Sequence, residues 1–211
     1  MLDSPYVRRV AIVLLRLRLP FEHRPISLFR HIDAFRRYNS LLKAPTLIAG
    51  DGTVLMDSTL IIEHLASISP DGAHLSPSGA SDRLAALASL GVSLLVCEKA
   101  VQAHYERALR PPEKRHEPWI ARVHDQLLTG LDQLEAQAGA GEEWLFERRL
   151  TLADITLACA FRFTQDYLGD IVEARRYKAL ASYCARAESL PEFRAAPPID
   201  GVTAPAPLAP Q

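Results

Sequence analysis

The chain has 211 residues, 48% of them hydrophobic, with 24 Lys and Arg against 25 Asp and Glu for a net charge of −1. That length suits two domains with real apolar cores, and the near-neutral, scattered charge argues against nucleic acid or an anionic membrane as partner. Cys97, Cys159 and Cys184 show neither a CxxC pair nor metal-ligand spacing. They read as buried free thiols of a reducing, cytoplasmic compartment, and no metal is expected. The apolar run 10–19 is broken by Arg16 and Arg18, which excludes a signal-peptide core or a membrane span there.

Ser4 is a favourable N-cap residue, and Pro5 falls at the first helical position, where its missing N–H is not needed. Val7, Val10, Ala11, Leu14 and Leu17 then recur at helical spacing, which sets Arg8, Arg9 and Arg16 on other faces. A hydroxyl at a helix N-terminus lies among unpaired N–H groups at the positive end of the dipole, a place that stabilises a thiolate or carboxylate. Residues 21–26 read as a short strand and 29–38 as a helix. A strand follows Lys43-Ala44-Pro45, and the Asp51-Gly52 turn leads to Val54-Leu55-Met56, completing a hairpin. Asp57 and Ser58 open a third helix with apolar positions Ile61, Ile62, Leu65 and Ile68. The order helix, strand, helix, strand, strand, helix is that of an α/β thioredoxin-like domain lacking its first strand.

A boundary rich in Pro, Gly and Ser spans 69–79. Beyond it, 82–110 reads as a long helix with Leu84, Leu87, Ala88, Gly91, Leu94, Leu95 and Val101 facing inward, stopped by Pro111-Pro112. Trp119, Val123, Leu127, Leu131 and Leu134 march through a second long helix, so this half is an all-α helical bundle. Thr151-Leu152-Ala153-Asp154 has the spacing of a capping box, with Leu150 and Ile155 at the staple positions. The cap alone is worth about 1 kcal/mol. The Ala/Pro-rich stretch 204–211 lacks any apolar period and reads as a loose tail.

Taken in order, Ser4-Pro5-Tyr6-Val7-Arg8, Lys43-Ala44-Pro45 and Asp57-Ser58 make the chain resemble a cytosolic glutathione S-transferase of the bacterial serine type. The resemblance implies a thioredoxin-like glutathione-binding domain at 1–72, an α-helical domain at 77–201 and a flexible tail at 202–211. The family places a full strand ahead of the Ser4 position, so a truncated first strand is also implied.

Glutathione is the implied co-substrate. Ser4 is its catalytic partner, donating to the sulfur and favouring the thiolate. Ser58 takes the γ-glutamyl carboxylate and Asp57 the ammonium. Ala44, presented by a cis peptide at Pro45, offers its backbone to the cysteinyl residue, and Lys43 reaches the glycine carboxylate. Tyr6, His104 and Tyr105 line a pocket between the domains for a small, largely apolar electrophile. Thr151 and Asp154 cap the family's buried central helix, a structural role. The expected protein is a detoxifying transferase and a homodimer. Two alternatives are a glutathione-dependent isomerase of the maleylacetoacetate type and a non-catalytic adaptor that keeps the fold for protein contacts.

Overall fold

The computed structural model describes residues 1–140, 143–199 and 201, so the expected tail at 202–211 lies outside the described residues. In chain order the elements are α1 (Pro5–Arg16), α2 (Ile32–Arg36), β1 (Thr46–Ile48), β2 (Val54–Met56) and α3 (Ser58–Ile68). Then follow α4 (Ala80–Leu109), α5 (Glu117–Ala140), α6 (Leu152–Tyr167), α7 (Lys178–Glu188) and α8 (Pro191–Ala195). The chain forms two compact units. The first is Met1–Leu75 with the described residues from Leu190 onward, and the second is Ser76–Ser189.

In the first unit α1 is the hub, packed by α3 and α8. Its residues Val10 through Leu15 are all buried, as are Ile61, Ile62 and Leu65 of α3 and Phe193 of α8. Arg8 and Arg9, set off the apolar stripe, are nonetheless buried, because α1 is enclosed from two sides. Arg8 donates from Nε to the Ala196 carbonyl at 2.8 Å, and its guanidinium lies 5.5 Å from the Phe193 ring centroid. Arg16, at the end of α1, is half-buried and pairs with Glu192 at 2.9 Å.

The sheet is an antiparallel pair in which Thr46 faces Met56, Leu47 faces Leu55 and Ile48 faces Val54. Its turn passes through Gly52 at φ 87°, a region glycine enters at no steric cost. The strand expected at 21–26 is instead irregular, because a ladder needs a neighbour and β1 and β2 pair only with each other among the described residues. Residues 1–3 form no strand either. Polar contacts hold the irregular segment: Arg24 reaches Glu22 and the Tyr38 hydroxyl, both at 2.8 Å. The helix expected over 29–38 shortens to α2. Ser27 Oγ accepts from the N–H groups of Phe29 and Arg30 at 3.2 and 3.1 Å, turning the chain just before it.

The second unit is built on α4, which packs against α5 and α6, with α7 closing over both of those helices. By length and hydropathy α4 is apolar enough to cross a membrane. Its contacts identify it as a core helix. The buried face is Ala86, Ser89, Leu90, Ser93, Val96, Cys97, Ala100 and Ala103, rather than the expected stripe. Leu84 is 72% and Leu87 57% exposed, and Ala88 and Gly91 are exposed as well. Small residues win the inner face because they let α5 and α6 approach closely. At Gly130 of α5 a Cβ would stand 2.9 Å from Val96 Cγ2. The α5 stripe is buried at Val123, Leu127, Leu131 and Leu134, but Trp119 is 45% exposed. All three cysteines are buried thiols outside any disulfide.

α6 is the buried centre of this unit, and the capping box at its start is formed. Asp154, fully buried, accepts at Oδ2 from the Thr151 N–H at 2.6 Å and from its hydroxyl at 2.5 Å. Its Oδ1 accepts from the Leu145 N–H at 2.9 Å and from the Tyr183 hydroxyl of α7. The carboxylate therefore ties three segments of chain together. Asp154→Ala orphans several buried donors at about 1–3 kcal/mol each, so urea unfolding should show a loss of about 3 kcal/mol or more. An unchanged midpoint would remove Asp154 from this role.

Burial, reinforced by the nearby Asp132 carboxylate, pushes the Tyr177 phenol up to about 12. Burial and Asp154 hold Tyr183 well above the ordinary phenol value. A phenol held protonated in the fold contributes stability that is complete below its unfolded pKa of about 10 and fades as pH rises through the folded value. Stability should therefore fall between pH 10 and about 12, and Tyr177→Phe should shrink that loss in urea titrations across the window.

Candidate functional site

Two helix N-termini of the first unit carry the candidate residues. At the start of α1, Ser4 has extended dihedrals (φ −72°, ψ 126°), and its carbonyl accepts from the Arg8 N–H at 2.9 Å. Its side chain makes no capping bond. The hydroxyl, half-buried, is thus left for something other than the helix.

At the start of α3, Asp57 is the N-cap, and its Oδ1 accepts from the Thr59 N–H at 2.8 Å. Asp57 sits at φ 70°, a backbone state that costs a non-glycine residue about 1–3 kcal/mol and concentrates at functional sites. Ser58 is buried, and its Oγ accepts from Arg9 Nη1 at 2.9 Å, while the same nitrogen reaches Thr59 Oγ1 at 3.2 Å. Arg9 lies little more than a turn beyond Ser4 along α1. One guanidinium therefore fastens the first turn of α3 against the first turns of α1.

The loop before β1 is pinned by the buried Asn39. Its Nδ2 donates to Thr46 Oγ1 at 2.9 Å, and its Oδ1 accepts from the Leu41 N–H at 2.9 Å. Thr46 Oγ1 in turn donates to the Lys43 carbonyl at 2.5 Å. Ala44–Pro45 is a cis peptide, and the Lys43 side chain is exposed. Ser4, Lys43, Ala44, Asp57 and Ser58 all belong to the first unit.

The residues expected to line an electrophile pocket divide between the units. Tyr6 stands half-buried on α1, whereas His104 and Tyr105 belong to α4. The His104 ring packs 4.6 Å from Tyr167 and 6.0 Å from Phe163, while Tyr105 is 40% exposed. Sequence reasoning missed Arg9 and Asn39 as site-building residues. The signal for Arg9 was an arginine pair inside an otherwise apolar helix, a pattern that demands buried partners.

The glutathione S-transferase N-terminal domain profile matches residues 1–73, and the C-terminal domain profile of the same family matches 117–186. The chain belongs to the glutathione S-transferase family. It is 27% identical over 160 residues to the uncharacterized GST-like protein YibF of Escherichia coli (strain K12), covering 74% of this chain and 76% of that protein. A glutathione S-transferase of Methylobacterium radiotolerans, solved with glutathione sulfonate, superposes with a TM-score of 0.80 at 27% identity, covering 99% of this chain and 95% of that one. A second, from Methylobacillus flagellatus with glutathione bound, gives 0.84 at 25% identity, covering 93% and 96%.

Arg9→Met strips Ser58 and Thr59 of a charged donor, a contact worth about 1.5–3 kcal/mol when buried. Thermal unfolding should show a clear loss of stability that Arg9→Lys recovers only in part, since the Nη1 that serves both hydroxyls stands farther along its side chain than a lysine ammonium reaches. A full recovery by lysine would argue that only charge matters there.

Proposed function

We propose that the protein is a glutathione transferase whose glutathione site is built from the two helix N-termini of the first unit. The observation that carries this reading is the Arg9–Ser58 contact. A hydroxyl that accepts from Arg9 keeps its own proton to donate, so Ser58 can offer O–H and N–H together to the γ-glutamyl carboxylate at the positive end of α3. Asp57, exposed and using one oxygen for its cap, is placed for the ammonium. Lys43 would pair with the glycine carboxylate and the Ala44 backbone with the cysteinyl residue. Relatives solved with glutathione or its sulfonate support the same co-substrate.

Ser4 is the proposed catalytic residue. Its hydroxyl, unused by the helix cap, would donate to the glutathione sulfur and lower the thiol pKa, each unit corresponding to about 1.4 kcal/mol. The thiol proton goes to solvent, the sulfur forms a bond to an electrophilic carbon, and the leaving group departs with its electron pair. Tyr6, His104 and Tyr105 are the proposed contacts for that small, largely apolar electrophile. Buried cysteines outside any disulfide suit a cytoplasmic enzyme, and the exposed leucines Leu84 and Leu87 suit a homodimer.

Calorimetric titration with glutathione, paired with turnover of 1-chloro-2,4-dinitrobenzene, tests the reading. Ser58→Ala should weaken glutathione binding about tenfold, the equivalent of one good hydrogen bond to a charged group. Ser4→Ala should retain binding yet lose about tenfold or more in kcat/KM. Glutathione binding without turnover of any electrophile would favour the adaptor, and full activity in Ser4→Ala would clear that residue of its role.

A further inference from the structure

We infer that Thr59 is a positioning residue of the glutathione site: by holding one N–H of Arg9, its hydroxyl fixes the direction in which Ser58 donates. The inference rests on the glutathione reading of the first unit and adds to it a residue that acts through its neighbours. Thr59 follows Ser58 in the first turn of α3 and is half-buried. A threonine in a helix can turn its hydroxyl proton onto the carbonyl one turn back. Thr156 does so with the Leu152 carbonyl at 2.7 Å. Thr59 instead uses its oxygen as an acceptor, 3.2 Å from Arg9 Nη1. Its backbone N–H is committed to Asp57 Oδ1 at 2.8 Å.

Each terminal nitrogen of a guanidinium carries two N–H groups and accepts nothing. Arg9 is fully buried, so both protons of Nη1 need an oxygen within the protein. Ser58 Oγ takes one at 2.9 Å and Thr59 Oγ1 the other at 3.2 Å. Without the Thr59 oxygen one N–H loses its acceptor, and the guanidinium turns until both protons compete for Ser58. The Ser58 hydroxyl then has no fixed lone-pair contact, and its own proton has no fixed direction. Thr59 also joins the two groups proposed to read the charges of the γ-glutamyl head. Its N–H holds the Asp57 carboxylate, and its hydroxyl steadies the arginine behind Ser58. Thr59→Val separates these duties, because it keeps the backbone N–H and the side-chain shape while deleting the oxygen.

Calorimetric titration of the full chain with glutathione tests this, alongside kinetics with 1-chloro-2,4-dinitrobenzene. Thr59→Val should weaken glutathione binding about fivefold, the equivalent of one ordinary hydrogen bond. The glutathione KM should rise by the same factor, with the loss in KM rather than in kcat. Thr59→Ser restores the hydroxyl and should return both quantities to their wild-type values. In a Ser58→Ala background Thr59→Val should add nothing, because Thr59 acts through Ser58. Three results would each overturn the inference and leave the transferase reading intact: unchanged affinity in Thr59→Val, whatever its melting temperature; failure of serine to rescue; or the full loss repeated in the Ser58→Ala background. Wild-type protein that binds no glutathione would instead sink the transferase reading, and this positioning role with it.

Discussion

A guanidinium with no solvent around it has to be satisfied by the protein, and Arg9 imposes that constraint on the first unit. Taking such a charge out of water is costly unless hydrogen bonds replace its hydration. Here the replacements include the hydroxyls of Ser58 and Thr59, so the α3 N-terminus must lie where Arg9 can reach it. The consequence is geometric. The first turn of α3 is fastened to α1, whose own N-terminus carries a serine hydroxyl that its helix does not use. Arg8 plays the matching part on the other side of α1 through the Ala196 carbonyl, fastening the C-terminal helix to the same hub. With a two-stranded sheet among the described residues of this unit, the buried arginines supply cross-links that a broader sheet would otherwise provide.

The second unit solves the same problem with the opposite charge. Asp154 is a buried carboxylate whose oxygens are saturated by backbone and side-chain donors from the segment before α6, from its cap and from α7. Burying an unsatisfied carboxylate would be far costlier than leaving a cap unmade, so the four donors and the charge stand or fall together. Arg186 adds to this corner by lying over the rings of both Trp144 and Tyr183. The box read from the sequence is thus only the local half of the arrangement. Its long-range half, the Tyr183 bond, is what joins two helices.

Features set by short-range chemistry were legible in the sequence: the Asp57 cap, the Asp51-Gly52 hairpin, the Thr151–Asp154 box and the α3 stripe at Ile61, Ile62 and Leu65, though its last expected member, Ile68, is exposed. Features set by tertiary neighbours were not. The burial of Arg8 and Arg9 is one: periodicity finds a single apolar face and sets them off it, whereas α1 is enclosed by α3 and α8. The α4 core was misplaced for a related reason. Hydrophobicity pointed to Leu84 and Leu87, while close packing selected alanines and serines, whose small size lets α5 and α6 in. Residues 21–26 have strand-like composition, but a strand exists only through its partner. For the candidate site, Ser4, Lys43, Ala44, Asp57 and Ser58 are named from their order along the chain, whereas Arg9, which holds Ser58, and Asn39, which holds the loop before β1, are not.

Ser58 shows why positioning and chemistry cannot be separated in such a site. A serine hydroxyl has one proton and two lone pairs. Had Ser58 donated its proton within the protein, as Thr46 does to the Lys43 carbonyl, an anion arriving at α3 would have met a lone pair and been repelled. Because Arg9 can only donate, it occupies a lone pair and leaves the proton directed away from itself. A positive charge behind the hydroxyl also strengthens it as a donor, since chains of hydrogen bonds polarise one another in a low-dielectric interior. A single buried arginine thereby both orders the helix end and sets the polarity of the group it presents.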